Sequence, residues 1–162
     1  MITLRTIELE TDKNADTLLT DLNWDTDKVA IGFMNFFYFF FKTNIQKNWL
    51  GQIDSRQKTF RIVRIKSSSD FGIKISAIVS RGQVFTDTER TMIKIDLQPN
   101  AFVFFNLLVL SILTVLGLYF IPIEDLKGSW WVATIWLSLF VSNFVFLIRD
   151  LNKTESKLTE YF

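Results

Sequence analysis

The sequence predicts a membrane protein in two parts. A mainly-β N-terminal domain, built as an antiparallel barrel or a PH-like sandwich with one short helix, precedes a C-terminal α-helical transmembrane hairpin. Three observations predict it. Residues 101–121 form a run of 21 without a charge, and residues 129–148 form another of 20. Apolar and polar residues alternate with the period of a strand through much of residues 60–97. The 22% of residues that are charged fall outside the two apolar runs. These features divide the chain into a cytoplasmic β-rich domain (residues 1–100), a hairpin (101–148, with helices 101–121 and 129–148) and a polar cytoplasmic tail (149–162).

Within the first part, Thr11 or Asp12 is placed to cap a helix carrying the stripe Ala15, Leu18, Leu19 and Leu22. Residues 29–41, VAIGFMNFFYFFF, are apolar at almost every position and too short to span a bilayer as a helix. They read as core strand buried on both faces, with an interfacial segment as the alternative. Phe71, Ile73, Ile75, Ala77 and Val79 alternate with Gly72, Lys74, Ser76, Ile78 and Ser80, and Ile93, Ile95 and Leu97 alternate with Lys94 and Asp96. Residues 60–66 are strand-like, but their apolar phase shifts between Ile62 and Val63, the mark of a bulge or of a strand covered on both faces. Turns are expected at residues 54–58, 67–70 and 81–88. The last strand runs through Gln98, Pro99 and Asn100 straight into the first apolar helix.

Each apolar run spans about 30 Å at about 1.5 Å per residue, the thickness of a hydrocarbon core. Arg81, Arg90, Lys94, Arg149, Lys153 and Lys157 lie on the side of the termini, whereas the loop 122–128 holds only Lys127. The cation bias predicts a multi-pass protein of the cytoplasmic (inner) membrane with both termini cytoplasmic. Tyr119, Phe120, Trp130 and Trp131 would mark the outer boundary. Asn106, Ser111 and Thr114 on one helix face matching depths with Thr134, Ser138, Ser142 and Asn143 on the other. They are candidates for helix packing within the hairpin or for an oligomer contact.

The chain has neither cysteine nor histidine, which excludes disulfides, Cys/His metal sites and histidine-activated nucleophiles. No glycine-rich phosphate loop, nucleophile elbow or paired acidic motif is present, so the reading is non-enzymatic, with no cofactor and no metal. Neither apolar run holds an ionisable residue, which argues against active transport. A net charge of +1 gives no direct evidence for a nucleic-acid partner. The concentrated charge is Arg56, Lys58, Arg61, Arg64 and Lys66, with Arg64 and Lys66 on one strand face and Arg61 on the other. Read functionally, this cluster holds a small anionic ligand or nucleotide, or anionic headgroups; read structurally, it is a solvated strand face.

Leu50-Gly51-Gln52-Ile53, Phe60-Arg61-Ile62-Val63-Arg64-Ile65, Ile75-Ser76-Ala77-Ile78 and Thr91-Met92-Ile93-Lys94-Ile95 occur in an order that resembles a family of small, uncharacterised bacterial membrane proteins with a β-rich cytoplasmic domain. The resemblance covers residues 49–97, departs from the pattern at Ala77 and at Asp70-Phe71-Gly72, and implies no catalytic role. In gross architecture the chain is similar to β-barrel membrane effectors of nucleotide-signalled antiphage (antiviral) defence, with the order of helices and barrel reversed. Three functions follow as expectations. The first is a membrane-anchored sensor or interaction module whose β domain binds a ligand, lipid or protein. The others are a membrane-disrupting effector that forms a homo-oligomer through its hairpin when ligand binds, and an accessory subunit of a larger membrane complex.

Overall fold

The computed structural model describes residues 2–29, 31, 47–69, 72–86, 90–120 and 126–162. In chain order the elements are β1 (Arg5–Thr11), α1 (Ala15–Trp24), β2 (Thr26–Lys28), β3 (Trp49–Asp54), β4 (Thr59–Ser69), β5 (Gly72–Thr86), β6 (Thr91–Pro99), α2 (Ala101–Phe120) and α3 (Leu126–Tyr161). The strands form one six-stranded sheet in the order β1-β6-β5-β4-β3-β2. Consecutive strands β3 to β6 make an antiparallel meander. At one edge β1 pairs antiparallel with β6, and at the other β2 pairs parallel with β3. The sheet is therefore mixed and open. This corrects the barrel: β1 and β2 occupy opposite edges, and helices, not a second sheet, cover the inner face.

Pleating sorts the side chains. Ile7, Ile93, Ile95, Leu97, Val84, Phe60, Ile62 and Trp49 point inward and meet Ala15, Leu18, Leu19 and Leu22 of α1. The α1 stripe forms as its spacing predicts, but Asn14, not Thr11 or Asp12, is the cap. Its side chain accepts from Asp16 N at 3.0 Å. Thr11 is drawn into β1 by pairing with Thr91, and α1 starts only at Ala15, which puts Asn14 and not Asp12 at the cap position. The phase shift in β4 marks both predicted features. Ile62 and Val63 are each buried on opposite faces, and the β4–β5 register slips after Val63 and again after Ile65.

Two expected turns give way to strand. The first is at residues 67–69, which belong to β4. Residues 81–86 continue β5 instead of turning, because Val84 enters the core and Gly82 lies under the Phe60 ring. A Cβ on Gly82 would meet that ring at 2.0 Å, so any larger residue would have to displace Phe60 from its place in the core. The turn expected at 54–58 is present: Asp54 Oδ1 accepts from Arg56 N and Gln57 N at 2.9 and 3.1 Å, and Lys58 takes φ 51° to re-enter the sheet. The proposed core strand within residues 29–41 lies outside the described residues except at Val29, which bonds Gly51 O and packs beside Leu50, and at Ile31.

The segment read as a polar tail is a continuation of α3. Leu147, Leu151, Thr154 and Leu158 recur on one helix face and are buried against the sheet. The helix end adds aromatic contacts: Tyr161 stacks edge-on to Trp49 at 6.1 Å, and Phe162 lies 5.7 Å from Phe60. Upstream, α3 turns Ile135, Leu137, Leu139, Val141 and Phe144 outward, and α2, which contacts it, exposes Phe105, Leu108, Ile112 and Val115. Among the described residues α3 is the one helix long and apolar enough to cross a membrane; the apolar part of α2, Ala101–Leu116, is shorter. β6 passes into α2 without a linker. Asn100 N bonds Ala77 O at 2.7 Å, and the Asn100 side chain caps α2 by accepting from Phe102 N.

Candidate functional site

Two polar centres lie on opposite faces of the sheet. On the inner face, Asp150 of α3 is 3% exposed and sits between the helix and strands β4 and β5. Its Oδ1 accepts from Arg64 Nη2 at 2.8 Å and pairs with Lys66 Nζ at 2.9 Å. Its Oδ2 accepts from Ser76 Oγ at 2.8 Å and from Ala77 N. Ser76 Oγ also meets Thr154 Oγ1 at 3.1 Å, one turn further along α3, and Lys66 Nζ stands 4.3 Å above the Phe146 ring. A buried carboxylate needs this many donors, since an unpaired charge there is costly. At the helix end, burial, reinforced by Asp25 and Asp21, pushes the Tyr161 phenol up to about 12.

On the outer face a cleft of about 960 Å³ opens over strands β3 to β6. Cross-strand register builds its floor. One row runs Gln52–Arg61–Arg81–Asp96 and the next runs Asp54–Thr59–Gln83–Lys94. Gly51 keeps the floor tight, because a Cβ there would meet Arg61 O at 2.1 Å. Arg56 reaches the rim from the β3–β4 turn. The acidic neighbours are engaged elsewhere: Asp54 holds the turn, Asp96 accepts from Thr6 Oγ1 at 2.6 Å, and Glu8 pairs with Lys94 at 3.3 Å. Among the described residues no carboxylate forms an ion pair with Arg56, Arg61 or Arg81. Partial burial, and then Arg81 alongside, lower the Arg61 guanidinium below its ordinary value.

The five cations singled out in the sequence thus separate. Arg56 and Arg61 belong to the cleft, Lys58 turns aside to Thr86 Oγ1 at 3.2 Å, and Arg64 and Lys66 are committed to Asp150. Of the helix residues, Ser111, Thr114 and Asn143 donate back to Leu107 O, Leu110 O and Leu139 O of their own helices. Asn106, Thr134, Ser138 and Ser142 are exposed, and the Asn106 and Asn143 amides do not bond to each other. Sequence reasoning missed Asp150, Ser76, Thr154 and Arg81. The phase of Leu147, Leu151 and Leu158 carries the signal for the first, because Asp150 falls on the same helix face. Compared with protein-family models, curated proteins and solved structures, the chain matches none.

Proposed function

We propose that the protein is a membrane-anchored, non-enzymatic sensor or interaction module. The sheet receives a ligand, lipid or protein at the cytoplasmic membrane, and α2 and α3 form the hairpin that holds it there. The observation that carries this reading is the continuity of α3, whose apolar, outward-facing stretch leads without a break into the Asp150 clamp and the Leu151–Leu158 packing. With β6 entering α2 directly, the sheet is tied to the apolar helices at two points. A change at the sheet is thereby transmitted to helices, and the reverse. Because the chain lacks cysteine, single cysteines at positions 127 and 157 test the arrangement by labelling intact cells with an impermeant thiol reagent. Labelling at 127 alone is expected. Labelling at 157 alone overturns the topology, and recovery of the chain in the soluble fraction overturns the anchor.

Self-association through the hairpin is a second reading, favoured by Asn106. Its amide is exposed on α2 and makes no hydrogen bond among the described residues, whereas Asn143 is satisfied by its own helix. An amide left unpaired in hydrocarbon costs several kcal/mol or draws a partner, and a second copy supplies one. Asn106→Leu is expected to abolish cross-linked oligomers in native membranes. A monomer in both wild type and variant removes this reading.

A further inference from the structure

We propose that the outer-face cleft is a binding site for a phosphate-bearing anion from solution, gripped between the Arg61 and Arg81 guanidinium groups with Arg56 at the rim. The inference rests on the reading of the sheet as the receiving part of the molecule. Arg61 and Arg81 are direct cross-strand partners. Like charges placed opposite each other destabilise a sheet, so the pair calls for a counter-charge. Asp96, the cross-strand neighbour of Arg81, accepts from Thr6 and forms no ion pair with either arginine among the described residues, and Lys94 has Glu8. The one carboxylate in their row therefore stands against two guanidinium groups. Five cations and two carboxylates line the cleft, so its potential is positive. Guanidinium forks match phosphate oxygens bidentately, and Gln52, Thr59 and Gln83 add neutral donors beside them.

Size and place narrow the ligand. The cleft, about 960 Å³, lies at the upper end of the range for small-molecule sites and exceeds what inorganic phosphate fills. A phosphorylated organic molecule suits it better. Asp96 precedes Ala101 by five residues, so about 16 Å of strand separates the cleft from the start of α2. That distance favours a soluble ligand over a headgroup of the protein's own bilayer. Arg64 and Lys66 take no part, since they lie on the inner face against Asp150 and do not line the cleft.

Titration calorimetry of the full chain in phosphatidylcholine nanodiscs tests this, with inorganic pyrophosphate as the probe at constant ionic strength. Binding to the wild type is expected, weakened about tenfold by Arg81→Gln or Arg61→Lys and unchanged by Arg90→Gln, whose side chain pairs with Glu10 away from the cleft. Arg81 is exposed, so its variant keeps the fold, and matching melting curves verify it. No binding to the wild type, or equal weakening by all three variants, overturns the site. In discs containing phosphatidylglycerol the affinity is expected to persist; displacement of pyrophosphate there assigns the cleft to headgroups and overturns the soluble source. A folded, membrane-bound chain that ignores pyrophosphate refutes this inference alone, leaving the anchored module standing.

Discussion

Strand β4 sends cations to both faces of the sheet, and the two faces treat them differently. Arg64 and Lys66, on the inner face, are largely buried and converge on one carboxylate that also holds a serine hydroxyl and a backbone N–H. Arg61, on the outer face, borders a second arginine and has no carboxylate partner among the described residues. The first arrangement pairs both cations with a carboxylate inside the fold, leaving Arg64 Nε as a buried donor without a partner among the described residues, and it serves the fold. The second leaves positive charge in a concave surface, open to the anion proposed above. Charge count alone does not separate them; the location of the nearest carboxylate does.

The largest effect should come from breaking the inner side. Asp150→Ala leaves Arg64 and Lys66 buried without a counter-ion and should cost about 3–5 kcal/mol, read by chemical unfolding in detergent. Wild-type stability in that variant would place the clamp on the same footing as the cleft and erase the comparison. Next, Leu158→Ala in the sheet-bound half of α3 should cost about 2–5 kcal/mol, because Leu158 is 0% exposed. Leu139→Ala in the outward-facing half should change stability by less than about 0.5 kcal/mol under the same conditions. Equal losses would mean that the apolar half is packed as tightly as the core half.

On the outer side the sign should reverse. Arg61→Gln removes a like-charge neighbour and should stabilise the ligand-free chain by about 0.2–1 kcal/mol, an effect that shrinks as salt rises. A loss of stability would give Arg61 a structural role and weaken the case for an external anion. The smallest effect concerns pH. The Tyr161 phenol is raised from its ordinary value near 10 to about 12, so the folded state favours the neutral form. Its contribution is fully present below about pH 10 and is lost as pH rises through about 12. Tyr161→Phe should flatten that part of the alkaline unfolding profile; an unchanged slope would show that Tyr161 does not couple to folding.

Local periodicity made the elements of the inner layer readable in advance. The α1 stripe, the alternation in β6 and the phase slip at Ile62–Val63 are short-range signals, and all reappear in the core. Strand β5, by contrast, is buried at every position from Ser76 to Ser80 and does not keep the expected alternation. What escaped depends on partners far along the chain. Sheet closure depends on where β1 and β2 end up, and β1 alternates only Ile7 and Leu9 among charged residues. Asp150 looks like an ordinary boundary acid until Arg64 and Ser76 are brought to it. Arg81, in a stretch read as a turn, joined Arg61 only because β5 runs on past Ser80. The basic cluster itself was partly legible, since strand alternation already set Arg61 apart from Arg64 and Lys66.

The order in which the elements leave the ribosome gives the α3 clamp a further meaning. All six strands are synthesised before α3, and domains tend to fold as they emerge. Here the early-made sheet lacks the leucines that cover one end of its inner face, and Arg64 and Lys66 have no acid to meet. Both arrive only after the apolar helices have been made. Completion of the sheet thereby waits until the apolar helices have been synthesised, so a chain that stalls before Asp150 presents an unfinished surface to the chaperones and proteases around it.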